Sequence, residues 1–271
     1  MPELPEVVVT LRGVLPHIEG KLVSNVVVRN GNLRWPVPDN LFELLNGQSL
    51  KSARQRAKYM LFEFFDGHLM IHLGMSGNLK ILPKGSPPEK HDHVDITFNN
   101  EAMLRYTDPR RFGSILWVKG NPEKHKLLQH LGPEPFASEF DAERLYSLSR
   151  KKITTVKQFI MDNKIVVGVG NIYANESLFL SGIRPKNSAG RVSLRSYKKL
   201  VGNIKEVLLK AIDRGGTTLQ DFSGNKGKSG YFKQELFVYG RAGKLCLYCE
   251  ALLKEVRLGQ RSSVYCPCCQ K

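Results

Sequence analysis

Apolar and polar positions follow one period at the start of the chain and another over the residues that follow. Val7, Leu11, Val14 and Leu15 recur at helical spacing, and Pro5 suits the first turn of the helix they predict. From residue 21 to about residue 119, short β-rich runs are separated by turn residues. These runs predict strands at 23–28, 59–65, 68–73, 94–98 and 114–118, with a short helix at 40–45. The pattern favours a β-sandwich or flattened barrel behind a leading helix.

The helical period returns after Leu-Gly-Pro-Glu-Pro at 131–135, which we interpret as a hinge. Helices are predicted at 140–149, 154–162, 172–181 and 193–213. The last has a single apolar stripe, Ser193 as its cap and Gly215-Gly216 as its stop. The glycine- and lysine-rich stretch 217–234 is either a loop that a ligand orders or a plain disordered linker.

Charge changes the picture, because 41 Lys and Arg outnumber 25 Asp and Glu and give a formal charge of +16. An excess of this size, spread along the chain, predicts a polyanionic partner, nucleic acid before membrane. Apolar runs stay well below the ~18 residues that span a bilayer, and the N-terminus does not have the pattern of a signal peptide. We therefore expect a cytoplasmic protein.

Five cysteines fall between Cys246 and Cys269, and four of them form two Cys-x2-Cys pairs. Cys246 with Cys249, and Cys266 with Cys269, have the spacing of a four-thiolate structural Zn²⁺ site. So small a segment lacks a core of its own, and the metal would supply its folding energy. Cys268 is the odd thiol. The hairpin between the pairs is predicted to carry Gln260 and Arg261 at its tip.

The first residues offer a nucleophile. If Met1 is removed, Pro2 becomes a secondary amine that can attack an electrophilic sugar carbon, and the iminium it forms has no N–H proton to lose. Glu3 and Glu6 place carboxylates next to it, and the positive end of the predicted helix disfavours a protonated amine. The alternative for this stretch taken alone is a disordered Pro-rich leader.

Three further stretches carry candidate chemistry. Lys58 stands at the entry to an apolar strand, as a phosphate contact, a second acid/base group or a solvated strand end. Glycines bracket Met75 on one turn, and Asp108-Pro109-Arg110-Arg111-Phe112-Gly113 forms another, which suits a wedge into a base stack. Gly168-x-Gly170 before Asn171 is either a tight turn between helices or a phosphate site at a helix N-terminus, and the basic charge of the chain favours the phosphate site. For His91-Asp92-His93 we prefer a structural or phosphate-facing role to a metal site.

Together, in this order, these motifs resemble one family closely, the bacterial formamidopyrimidine-DNA glycosylases that repair 8-oxoguanine. The resemblance covers nearly the whole chain. It is carried by the N-terminal Pro-Glu-Leu-Pro-Glu-Val, by the motifs at 57–59, 72–77, 90–93, 108–113, 168–173 and 215–218, and by the C-terminal cysteines. It implies an α+β fold with an N-terminal β-sandwich at residues 1–130, a helix-two-turn-helix domain at 131–234 and a zinc finger at 235–271.

The resemblance also implies residue roles. Pro2 is the expected nucleophile, Glu3 the general acid/base, Glu6 an active-site support and Lys58 a second catalytic or phosphate-contacting base. The remaining expected positions all contact DNA: Met75, Arg110 and Phe112 in the gap left by a flipped nucleotide, Asn171 and Arg261 on phosphates, and His72, His93 and Arg111 within the same motifs. The loop after Thr217 corresponds to the lesion-capping loop.

The chain departs from the family pattern at two places. Val8-Val9 replaces Glu-Thr in the first helix. Glu250 stands where glycine is common, which predicts slight strain in the first zinc knuckle, the turn that contains Cys246 and Cys249. The expected activity is excision of oxidised purines from duplex DNA with β,δ-elimination at abasic sites. The expected enzyme is a monomer in the bacterial cytoplasm, associated with the nucleoid when bound to DNA. The alternatives are an endonuclease VIII-type enzyme for oxidised pyrimidines and a damaged-DNA binder without catalysis.

Overall fold

The N-terminal half contains two four-stranded antiparallel sheets. The structure is a computed structural model that describes residues 2–215 and 236–271. One sheet has the order β1-β6-β7-β5 and the other β2-β3-β4-β8. The strands are β1 Val23–Val28, β2 Ser52–Arg56, β3 Tyr59–Glu63, β4 His68–His72, β5 Asn78–Pro83, β6 Asp92–Phe98, β7 Ala102–Thr107 and β8 Ser114–Val118. The predicted β-sandwich is confirmed.

The leading helix α1, Leu4–Ile18, supplies the centre of this half. Pro5 lies in its first turn, as predicted, and Val7, Leu11 and Val14 are buried in a core that both sheets share. The helix packs against β2 and β3 of one sheet and β5 and β7 of the other. Its start, with Pro2 and Glu3, is thus fixed by a buried hydrophobic face. A short helix α2, Leu41–Leu45, follows β1.

Three strands were missed by the sequence pattern: β2, β5 and β7. Strand β7 has Arg105 in a buried position, where its guanidinium donates to both carboxylate oxygens of Asp95 at 2.8 Å. Asp95 and Arg105 are register partners on β6 and β7, and Arg29 contacts the same carboxylate. Burial would raise the pKa of Asp95, but the hydrogen bonds and charges of Arg105 and Arg29 hold it below its usual value. A paired buried charge thus replaces an apolar residue in the strand.

The C-terminal half forms a second compact unit, made of His130–Arg214 and the described residues from 236 onward. Its helices are α3 Ala142–Ser149, α4 Val156–Ile160, α5 Asn171–Leu180 and α6 Leu194–Asp213. The side chain of Ser193 caps α6 as predicted, and Thr155 caps α4, which is shorter than the predicted 154–162. Along α5 both faces are buried, as expected for the central helix of a small bundle.

The C-terminal hairpin, β9 Lys254–Leu258 and β10 Arg261–Tyr265, is anchored to these helices by buried polar contacts. Lys157 on α4 is fully buried, and its ammonium donates to the carbonyl oxygen of Ser262 at 2.7 Å and to Ser263 Oγ at 2.6 Å. Asn175 on α5 accepts from the Val264 amide at 2.9 Å. These bonds fix the position of the hairpin tip relative to α5.

Among the elements of residues 2–215 and 236–271, none is a helix with the length and apolar character needed to cross a bilayer. Met1, the whole predicted loop 217–234 and the 216–218 part of the glycine-threonine motif lie outside the described residues.

Candidate active site

The N-terminus presents Pro2 next to two buried carboxylates. Pro2 is half-buried, whereas Glu3 and Glu6 are almost fully buried. Glu3 is the N-cap of α1, and its backbone amide donates to Glu6 Oε2 at 2.8 Å. The Glu6 carboxylate therefore holds the backbone of Glu3 in place and satisfies one amide of the first turn. Val8 and Val9 lie on the half-exposed side of α1.

Lys58 and His72 lie together at one end of a sheet. Lys58 occupies the two-residue turn between β2 and β3, in which Ala57 has a φ of 53°, a left-handed backbone that few non-glycine residues adopt. Tyr59 and His72 are register partners, with ring centroids 4.7 Å apart. His72 Nδ1 accepts from the Gly74 amide at 3.0 Å, which places the proton of the neutral ring on Nε2.

The pKa of His72 is lowered from 6.5 to about 4, mainly by burial and then by the nearby charges of Lys58 and Arg34, which Asp108 only partly offsets. Since the unfolded chain keeps the ordinary value, it binds more protons than the folded chain between pH 6.5 and pH 4. Stability therefore falls as pH decreases through this window, by up to about 3 kcal/mol from this group.

We expect the NMR titration of His72 to have its midpoint near pH 4. Urea unfolding of the wild type and of His72→Asn, which keeps an acceptor for the Gly74 amide, should show a smaller loss of stability on acidification in the variant. A midpoint near pH 6.5 would contradict the neutral ring.

The loops that carry Met75 and Phe112 are joined by one buried carboxylate. Asp108 accepts from Ser76 Oγ at 2.6 Å and from the Gly113 amide at 2.9 Å. Met75 and Phe112 are exposed, and the Arg110 guanidinium lies 4.8 Å from the centre of the Phe112 ring. The structure thus brings the three predicted wedge residues together on two connected loops.

Close backbone packing joins the same loops. Gly74 has a φ of 62°, and a Cβ at this position would lie 2.4 Å from the Gly113 nitrogen and 2.4 Å from the Phe112 carbonyl carbon. We expect Gly74→Ala to lower the free energy of unfolding by about 2–4 kcal/mol, from backbone strain and overpacking.

The matched control for that variant is Gly85→Ala, which has a φ of 82° but no atom within 4 Å of the added Cβ. It should lose only the strain, about 1 kcal/mol. Urea unfolding measures both. Equal losses would mean that the loop contact does not constrain Gly74.

The other predicted DNA contacts are dispersed. Asn171 is the first residue of α5, and its side-chain amide makes no hydrogen bond within the described part of the chain. Arg261 is exposed at the start of β10, beside the hairpin turn, as predicted. Arg111 is exposed with a φ of 56°. His93 is buried, and its Nε2 donates to the Asp108 carbonyl oxygen at 2.8 Å.

The cysteines predicted to bind zinc come together. The Sγ atoms of Cys246, Cys249, Cys266 and Cys269 all lie within 4.8 Å of one another. Cys249 Sγ is 3.4 Å from both Cys266 Sγ and Cys269 Sγ. Four thiolates about 2.3 Å from one Zn²⁺ ion lie about 3.8 Å apart, which matches this cluster. These residues hold one structural zinc ion, whereas Cys268 is exposed next to them.

The first zinc knuckle has the predicted strain, because Glu250 has a φ of 60°. We expect Glu250→Gly to stabilise the finger by about 1 kcal/mol, since glycine adopts this conformation without steric cost. Glu255→Gly, in the extended backbone of β9, is the control and should destabilise it. Chelator titration of zinc release measures both. A less stable Glu250→Gly finger would contradict the strain.

Sequence reasoning missed three residues that organise these sites. Asp108 was seen only as the start of a turn, yet it joins two loops. Arg34 acts electrostatically on His72, and its amide donates to the Gly113 carbonyl at 3.1 Å. Glu176 accepts from three successive amides, 237–239, at 2.8–3.0 Å. Of these three residues, only Glu176 had a signal in the sequence, because it is an acidic residue within an apolar helix.

Family comparisons match the three parts of the chain in order. Residues 1–115 match the formamidopyrimidine-DNA glycosylase N-terminal domain, and residues 131–223 match the H2TH domain of the same enzymes. Residues 243–271 match a zinc finger found in FPG and IleRS. This combination defines the class, a DNA glycosylase with a helix-two-turn-helix domain and a zinc finger.

Whole-chain comparisons agree. A formamidopyrimidine-DNA glycosylase of Pseudomonas putida GB-1 is 57% identical and one of Saccharophagus degradans is 55% identical, each over all 271 residues and the full length of both chains. A Lactococcus lactis FPG variant bound to Fapy-dG-containing DNA superposes with a TM-score of 0.91 at 30% identity, over 100% of both chains. MutM in complex with DNA containing carbocyclic 8-oxo-G gives 0.89 at 31%, again over 100% of both. The chain belongs to the bacterial formamidopyrimidine-DNA glycosylase family, whose members are glycosylases with lyase activity at abasic sites.

Proposed function

We propose that this enzyme excises oxidised purines, 8-oxoguanine and formamidopyrimidines, from duplex DNA through an iminium (Schiff base) formed by Pro2. The observation that carries the proposal is the position of Pro2, half-buried directly before the buried carboxylate of Glu3 at the positive end of α1. That end of a helix disfavours an ammonium and so favours the free amine. Relatives solved with DNA containing Fapy-dG and carbocyclic 8-oxo-G support the substrate class.

The chemistry follows from these two groups. The Pro2 lone pair attacks the deoxyribose C1′, and the electrons of the glycosidic bond leave with the base. The proton that the Pro2 nitrogen then loses balances the one that the base takes up. Glu3 protonates the ring oxygen as the C1′–O4′ bond opens, so that an iminium forms. This cation acidifies the neighbouring sugar protons, and β- then δ-elimination cut the backbone on both sides. Glu6 supports the site because it holds the Glu3 amide.

Lys58 and His72 would serve the flanking phosphate. A neutral His72 with its proton on Nε2 can donate a hydrogen bond to a phosphate oxygen without carrying a charge. Lys58 would either supply positive charge to the phosphate as the ammonium or, as the neutral amine, take a proton during elimination.

Met75, Arg110 and Phe112 would fill the space of the flipped nucleotide. Extruding a base costs a few kcal/mol, and side chains inserted into the gap offset that cost. Because Asp108 and Gly74 fix the two loops to each other, little ordering remains to be done upon binding. His93 would contribute through the Asp108 backbone, and the exposed Arg111 of the same turn would contact DNA.

Asn171 and Arg261 would bind phosphates from the second unit. A helix N-terminus favours an anion, and the unbonded amide of Asn171 lies in the first turn of α5. Arg261 has a matching position at the hairpin turn. We also propose three domains with the limits 1–130, 131–234 and 235–271. The enzyme is proposed to be a cytoplasmic monomer that associates with the nucleoid by binding DNA.

Borohydride trapping tests the proposal on two duplexes, one with 8-oxoguanine opposite cytosine and one with an oxidised pyrimidine. A crosslink mapped to Pro2 by mass spectrometry, stronger on the 8-oxoguanine duplex, is the expected result. A stronger crosslink on the pyrimidine duplex would move the protein to the endonuclease VIII type. Binding without a crosslink would identify a reader of damage that is not an enzyme.

A further inference from the structure

The first zinc knuckle exposes apolar side chains that neither bind the metal nor enter a core. Leu245, Leu247, Tyr248 and Leu252 are 56%, 58%, 63% and 60% exposed. Leu245 and Leu252 are paired through a backbone bridge, so the knuckle is ordered. Neighbouring exposed apolar residues on a soluble domain mark an interaction surface more often than scattered ones do.

These residues border a cavity of about 340 Å³ in the same unit. Leu247 and Tyr248 line it together with other apolar residues, Leu180, Val207, Leu236 and Phe237. Tyr248 stacks on Phe179 and Phe237 with ring centroids 5.4 Å apart in each pair. The three amides bound by Glu176 hold this wall, so the cavity needs little ordering to receive a side chain.

The charges at the cavity are unevenly balanced. Both oxygens of Glu176 face backbone amides, and Glu206 is paired with Lys210 on α6. Arg214 has no acidic partner within the described part of the chain. The rim therefore keeps a positive charge, which an acidic occupant complements.

Two other occupants fit less well. A second copy of a chain with a charge of +16 would bring like charges together. The phosphate backbone of DNA is charged and has no apolar side chain that could enter this cavity. In addition, the predicted phosphate contact Asn171 is at the start of α5, whereas the cavity is lined by Glu176 and Leu180 further along the same helix. This ten-residue helix spans about 15 Å.

We propose that the cavity and the four exposed knuckle residues, the knuckle surface, form a docking site for an acidic peptide segment of another protein. One aromatic or aliphatic side chain of the segment enters the cavity beside Tyr248 and Leu247. Its carboxylates pair with Arg214 and with Lys210, in competition with Glu206. A partner held here leaves the predicted phosphate contact of Asn171 accessible.

A phage-displayed library of random 12-residue peptides, selected on the zinc-loaded full-length protein, tests this. We expect enriched peptides to combine net negative charge with an aromatic or branched residue. The double variant Leu247→Ser/Tyr248→Ser should bind synthetic versions of them at least 10-fold more weakly. Arg214→Glu, on the helix, should weaken them similarly and keeps the test valid if the knuckle variant loses its zinc.

The matched control is Ile153→Ser, which removes a 94% exposed side chain outside the surface and should leave peptide affinity unchanged. An abasic-site duplex should not displace the peptides. No enrichment, enrichment of basic peptides, unchanged affinity in both surface variants, or displacement by DNA would each overturn the proposal. So would sedimentation that finds a dimer abolished by the double variant, because the occupant would then be a second copy.

Discussion

Replacing Pro2 by glycine should lower the rate of 8-oxoguanine excision by on the order of 100-fold or more while DNA affinity stays the same. Glycine keeps an amine, but it loses the ring that fixes the backbone angle and therefore the direction of the lone pair. Its primary amine is also free to swing away from the sugar. Single-turnover excision and borohydride trapping measure the loss, and gel-shift titration on an uncleavable abasic analogue measures affinity.

Pro5→Ala is the control for this variant, because Pro5 lies three residues further on, in the first turn of α1, but is buried and carries no free amine. Its excision rate should stay within a few-fold of the wild type. Unchanged excision by Pro2→Gly would refute the amine mechanism. An equal loss in both variants would assign the effect to the helix start instead of the nucleophile.

Replacing Cys249 by serine should remove the zinc ion and abolish tight DNA binding, with a loss of affinity of on the order of 100-fold or more. Zinc binding contributes roughly 10–16 kcal/mol in zinc-finger peptides, far more than the small finger core can supply. Without the metal the hairpin that carries Arg261 is no longer fixed. Metal analysis and fluorescence anisotropy on a damaged duplex measure the two effects.

Cys268→Ser offers a close control, since this thiol is exposed and outside the cluster of four. It should retain one zinc per chain and full affinity. Zinc loss in Cys268→Ser, or full zinc retention in Cys249→Ser, would show that the ligand set has been assigned wrongly.

Sequence patterns predicted the strands whose apolar residues dominate and missed those whose polar residues are paired. Strands β1 and β8 have the predicted limits, 23–28 and 114–118. Strand β2 reads Ser-Ala-Arg-Gln-Arg and lies at the edge of its sheet, where none of its residues is fully buried. Strand β7 holds Arg105, whose partner Asp95 lies on another strand. A single sequence does not reveal such a pair, because the two charged residues meet only in the folded structure.

In the candidate site, too, features set by local spacing were predicted, whereas features that depend on tertiary contacts were missed. The zinc ligands follow from local spacing, and the structure confirms their convergence. The wedge residues were found on separate turns, but their junction at Asp108 depends on contacts between positions 76, 108 and 113. The low pKa of His72 likewise arises from burial and from Arg34, which is distant in the sequence.

Because the hydrogen bonds of Asp108 join the turn that carries Met75 to the turn that carries Phe112, we expect these two side chains to be coupled energetically. Substitutions at Met75 and Phe112 should not add independently in a double-mutant cycle, although the residues are far apart in the sequence. A wedge assembled before it meets DNA also needs no loop folding at each base step. The enzyme can then probe successive steps at the rate of sliding, and hesitation at a lesion would reflect the weakness of the stacked base and not the slowness of the protein.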